Sequence, residues 1–153
     1  MQGGYFSYAL LAGLAIALLV AAFTDLRRRQ IDNWLTGGIA LAAPLFWLAS
    51  GLGPWEIGYQ LAIALATISV LAGLFAIGAM GGGDVKLLAA LALWIQPMAF
   101  LSLLIVMAIA GGMITVIFAG WHIARRCEGK VAVPYGIAIS IAGLWVLTTQ
   151  YLP

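Results

Sequence analysis

The sequence predicts an all-α, polytopic membrane protein with about six transmembrane helices, and three observations carry that prediction. Of its 153 residues, 65% are hydrophobic and only 8% are charged. Mean hydropathy is +1.11. The few charges divide the chain into apolar tracts that are each long enough to span a bilayer. A water-soluble domain so poor in charge could not cover its surface with polar groups, so lipid must be the solvent. One crossing takes ~20 apolar residues, which leaves room for a single membrane domain, 1–153, and little else.

The apolar tracts are 1–24, 33–55, 57–83, 87–124 and 131–153. The first predicts a helix over 5–23; no small-residue cleavage site follows it, so it is expected to be retained and not removed as a signal peptide. The second predicts a helix over 34–50, with Asn33 well suited to cap its start, and the third a helix over 57–78. As one helix, 87–124 would run to about 57 Å at ~1.5 Å per residue, far beyond a core of ~30 Å. It is therefore expected to fold back once. Gln96-Pro97 is the expected turn, because proline lacks a backbone donor and restricts the residue before it; Gly111-Gly112 is the rival. The result is a short, tilted or partly re-entrant helix over 85–96 and a long one over 98–123. A last helix is expected over 131–151. Gly73, Ala76, Gly111 and Gly112 are expected to let helices pack closely in lipid.

All seven basic residues, Arg27, Arg28, Arg29, Lys86, Arg125, Arg126 and Lys130, fall after the first, third and fifth predicted helices. If the long tract crosses twice, these turns share one side, which the positive-inside rule makes cytoplasmic. The expectation is a cytoplasmic (inner) membrane protein with both termini outside, in the periplasm. The opposite side carries only Glu56 among charged residues, and Trp34, Trp55, Trp121 and Tyr151 suit interfacial belts. A net charge of +2 with no basic arm argues against a nucleic-acid partner. The single Cys127 excludes an internal disulfide framework and a CxxC zinc module. His122 has no ligand-spaced partners, so no metal site is expected, and no serine-peptidase motif is present.

Two aspartates remain at the predicted cytoplasmic boundary: Asp25 at the end of the first helix and Asp84 at the start of the fourth. Ionisable groups at membrane depth are costly and usually have a partner and a task. Two carboxyls at close range cannot both ionise easily, so one keeps its proton while the other acts as a base, which is the division of labour of aspartyl proteolysis. The plainer alternatives are that Asp25 neutralises the arginines after it and that Asp84 caps a helix. Gly81, Gly82 and Gly83 before Asp84 would let the backbone turn tightly and approach a ligand. They do not form a nucleotide-binding loop, which needs its own spacing and Gly-Lys-Ser/Thr.

Gly81-Gly82-Gly83-Asp84-Val85-Lys86-Leu87 resembles the Gly-x-Gly-Asp signature of the type IV prepilin peptidases. Asp25-Leu26-Arg27-Arg28-Arg29-Gln30-Ile31-Asp32-Asn33 is similar to that family's other aspartate segment, with Asp32 where the family commonly has proline. Val133-Pro134-Tyr135-Gly136-Ile137-Ala138 looks like its Pro-Tyr/Phe-Gly element. The resemblance implies an intramembrane aspartyl endopeptidase with Asp25 and Asp84 catalytic. Its substrate would be a prepilin with a basic leader and a hydrophobic N-terminal helix, cut at the cytoplasmic face. Pro134, Tyr135 and Gly136 would border the site, with Lys86 and Asn33 in support. Asp32 is a rival to Asp25, and Asp32 or Glu128 would bind the leader. With no cytoplasmic insertion, the chain resembles the short, peptidase-only type associated with Flp/Tad pili, for which neither methylation nor a cofactor is expected. Two other readings stay open: a related peptidase acting on pseudopilins or archaellin precursors, and a non-enzymatic transporter or assembly component that uses the acidic pair.

Overall fold

A computed structural model describes residues 4–124 and 135–151. Within them the chain forms six α-helices: α1 Tyr5–Arg28, α2 Asn33–Ala49, α3 Pro54–Ala76, α4 Gly82–Ala92, α5 Pro97–Ala124 and α6 Tyr135–Gln150. Three helical stretches, Tyr5–Arg28, Pro54–Ala76 and Pro97–His122, are long and apolar enough to cross a membrane. Their large side chains point outward: Leu65 is 66% exposed and Val116 72%. No aqueous surface tolerates apolar patches on that scale, whereas hydrocarbon does.

The long tract breaks where proline predicts. α4 ends at Ala92, α5 begins at Pro97, and Gly111 and Gly112 lie inside α5. α4 has 11 residues, so at ~1.5 Å per residue it reaches about 16 Å, roughly half of a ~30 Å core. It packs against α2, α3 and α6, while α1 lies against α2 and α6, and α5 lies along α6. Leu87, Leu88 and Leu91 of α4 are fully buried. The shortest of these helices is the centre of the bundle.

A helix that stops in an apolar interior leaves its last carbonyls without ladder donors, and water is not there to replace them. Side chains from three other segments do so. The Gln60 amide donates to Ala92 O at 2.7 Å and to Ile95 O at 2.6 Å. The Trp47 indole donates to Leu93 O at 2.7 Å and the Tyr151 hydroxyl to Trp94 O at 3.2 Å. Trp94 in turn donates to Ile39 O at 2.8 Å, one turn ahead of Pro44, which interrupts the ladder of α2. Gln60→Leu removes the donor to two buried carbonyls and is expected to destabilise the protein by about 2 kcal/mol or more. A detergent-solubilised unfolding midpoint indistinguishable from that of the unsubstituted protein would contradict this account.

Several sequence expectations need correction. Gly82 and Gly83 are not an open turn: they form the first residues of α4 after Gly81, whose φ of −71° and ψ of 143° suit any residue. Asn33 does not cap α2; that position belongs to Asp32, whose side chain makes no capping bond. Asp84 likewise makes no capping bond, and the N-cap of α4 is Gly81. A side chain at Gly73 or Gly112 would meet nothing, so neither glycine mediates close packing, and Ala76 is exposed. Close approach occurs at Gly111, against Tyr135, and at Gly143, against Leu18. Tyr151 is not a belt residue either, since it packs edge-on to Phe46 and donates inward; Trp34, Trp55 and Trp121 do face outward.

Candidate active site

The last turn of α1 carries Arg27 and Arg28, whose charges suit the negative end of a helix. The helix stops at Arg29, which adopts a left-handed φ of 52° and returns its N–H to Asp25 O at 2.8 Å. Asp25 is thereby placed one turn before the end of α1, with only 6% of its surface exposed. Its Oδ2 accepts the Gly136 N–H at 2.8 Å. Gly136 is the second residue of α6, so this N–H is one of the donors that a helix start leaves unused, aligned with the positive end of the helix dipole. The same glycine is what permits the approach: a Cβ there would lie 2.7 Å from Asp25 Oδ2 and 2.9 Å from Cγ.

Asp84 occupies the first turn of α4, also at the positive end of a helix. The three glycines before it provide space in place of backbone freedom. A Cβ on Gly83 would come 3.3 Å from Ile31 Cβ, one on Gly82 3.2 Å from Phe75, and one on Gly81 3.0 Å from Asp84 Oδ2. The start of α4 therefore sits against the 30–32 connection that follows Asp25. Buried Ile31 is the contact that fastens it, a residue the sequence reading did not single out.

Both aspartates line one cavity of about 610 Å³. Asp32, Asn33, Gly81, Gly82, Gly83, Lys86 and Tyr135 line it as well, as do Arg29, expected as a topology anchor, and Gln30, which belongs to the same aspartate segment and was given no role of its own. The Lys86 ammonium donates to Asn33 Oδ1 at 2.8 Å, so Lys86 pairs with an amide and joins α4 to α2. Asp84 belongs to α4, too short to span, and its pKa is pushed up from 3.8 to about 6. Loss of hydration on burial is the main cause, and the charge of Asp25 adds to it. Such a carboxyl can hold a proton well above the usual aspartate range. Of the remaining expectations, Pro134 and Glu128 lie outside the described residues. Among the described residues no cluster suits a metal ion.

Two carboxyl groups lining one cavity with other polar side chains can exchange a proton with an entering water and with a bound carbonyl. The model of the type IV leader peptidase family matches residues 12–116, more than half of the chain. The chain belongs to that family. Neither the curated proteins nor the solved structures compared with it match. As a type IV leader peptidase it is a hydrolase and a membrane protein. The matched stretch holds both aspartates, the arginine run, the three glycines and Lys86; Tyr135 and Gly136 lie beyond it and join the site through the cavity lining and the Asp25 hydrogen bond.

Proposed function

We propose that this leader peptidase is an aspartyl endopeptidase with Asp25 and Asp84 as its catalytic pair, removing the short basic leader of a type IV prepilin of the Flp kind. The observation that carries the reading is that these two carboxyls, from helices far apart in sequence, line the same cavity. In the reaction the ionised carboxylate takes a proton from water, and the resulting hydroxide attacks the scissile carbonyl. The protonated carboxyl hydrogen-bonds the carbonyl oxygen and gives up its proton as the tetrahedral adduct forms. Collapse of the adduct breaks the C–N bond, and a carboxyl returns a proton to the leaving nitrogen. The Gly136 N–H on Asp25 Oδ2 favours a charged oxygen there, which suits Asp25 to the base and leaves the proton to Asp84.

The basic residues on the described side of the site, Arg27 to Arg29 and Lys86, favour placing the cavity at the cytoplasmic face of the inner membrane, where a prepilin leader lies. Asp32 in the cavity wall is suited to attract that leader's basic residues. Purified protein in detergent, mixed with a Flp-type prepilin, should release the leader at one junction, and a panel including pseudopilins and archaellin precursors should show slower cleavage of those. An inert preparation, with all substrates intact, would refute the peptidase assignment to this cavity and favour a proton relay or assembly role.

A further inference from the structure

A prepilin-type substrate presents a polar junction followed at once by an apolar helix, so the enzyme must join a wet site to a lipid-facing groove. Among the described residues, a groove between α2 and α4 meets that requirement. It holds about 370 Å³ and is walled by Gly37 and Ala40 on α2, Ala89 on α4 and Ile68 on α3. At its mouth stand Asn33 and Lys86, which also line the catalytic cavity and hydrogen-bond to one another across the gap. Two further apolar grooves among the described residues, between α1 and α2 and between α3 and α5, share no lining residue with that cavity. Small residues on facing walls, Gly37 and Ala40 on α2 and Ala89 and Ala90 on α4, leave this space open.

We infer that this groove seats the apolar helix that follows the cleaved bond, with Asn33 and Lys86 at the threshold where the chain passes from groove to carboxylates. The inference rests on the peptidase reading and adds to it the surface that selects a substrate with such a helix. Gly37 and Gly38 allow a direct comparison, because a Cβ at either meets nothing within 4 Å, so neither position is closed to substitution at its first carbon. Gly37 opens into the proposed groove and Gly38 into the α1–α2 groove.

Gly37→Trp should raise KM for full-length prepilin about tenfold or more with kcat little changed, the pattern of lost ground-state binding. Gly38→Trp should match the unsubstituted enzyme, and Gly37→Ala should fall between the two. Independently of folding or turnover, a photo-crosslinking residue at Ala40, in protein carrying Asp84→Asn so that substrate is retained, should capture the substrate helix. The same probe at Ala42, which faces the α1–α2 groove, should not. Equal kinetics for Gly37→Trp and Gly38→Trp, capture from position 42, or capture from neither position would overturn the assignment. If the unsubstituted protein cleaves nothing, the peptidase reading fails by itself, while capture from position 40 or 42 still decides the groove.

Discussion

Asp25→Asn and Asp84→Asn will each reduce leader cleavage by about 10³-fold or more, while the protein still inserts and folds. Asparagine keeps the shape of the side chain and can still accept the Gly136 N–H that Asp25 receives, so packing changes little. What it lacks is the capacity to take up or release a proton at working pH. Because the two carboxyls act on one proton inventory, either loss disables the pair, and the double variant should be scarcely slower than the singles. Single-turnover cleavage of reconstituted substrate measures this. Substantial turnover by either variant, or losses that multiply in the double variant, would mean the two groups do not act together. Asp32→Asn is the accompanying control for the third acidic group in the cavity: it should weaken binding of a basic leader, raising KM and sparing kcat.

Gly136→Ala is expected to cost about 10²-fold in kcat, an effect comparable with displacing a catalytic group by ~1 Å. The added methyl would sit 2.7 Å from Asp25 Oδ2, 2.9 Å from its Cγ and 3.0 Å from its Cβ. The Cβ of Asp25 is fixed to α1, so the methyl fits only if the carboxyl rotates off the Gly136 N–H or α6 retreats and withdraws that N–H. Gly143→Ala provides the contrast on the same helix. Its methyl would meet Leu18 Cδ1 at 2.8 Å, the far end of a side chain that can adjust. That change is expected to cost about 1–3 kcal/mol in stability, as overpacking does, with turnover retained. Activity and detergent unfolding measured on both variants separate the two mechanisms. If Gly136→Ala loses only stability, the contact with Asp25 has no catalytic consequence.

The scarcity of charge made the site legible in the sequence. With five acidic residues in the whole chain, Asp25 and Asp84 are conspicuous in the sequence alone, and the cavity they share is the part that geometry adds. Gln96-Pro97 marked the break between α4 and α5 because proline constrains the backbone locally. What could not be read depends on partners distant along the chain. Asn33 offered an obvious local role at a helix start, yet its amide is engaged by Lys86. The glycines before Asp84 suggested backbone freedom, yet their lack of side chains lets Ile31 and Phe75 close in. Gln60 was passed over, although an amide in an apolar helix is itself a signal that some buried group needs a donor.

Order of synthesis adds a further constraint. α6 follows the other helices in the chain, and it supplies the Gly136 N–H to Asp25, while the segment just after it brings the Tyr151 hydroxyl to Trp94 O. Until α6 and Tyr151 dock, Asp25 lacks the Gly136 N–H and Trp94 O lacks the Tyr151 hydroxyl. During synthesis Asp25 therefore enters the membrane more than a hundred residues ahead of the N–H that its carboxyl accepts in the folded protein, and it stays unpartnered by that donor until α6 has been made and seated.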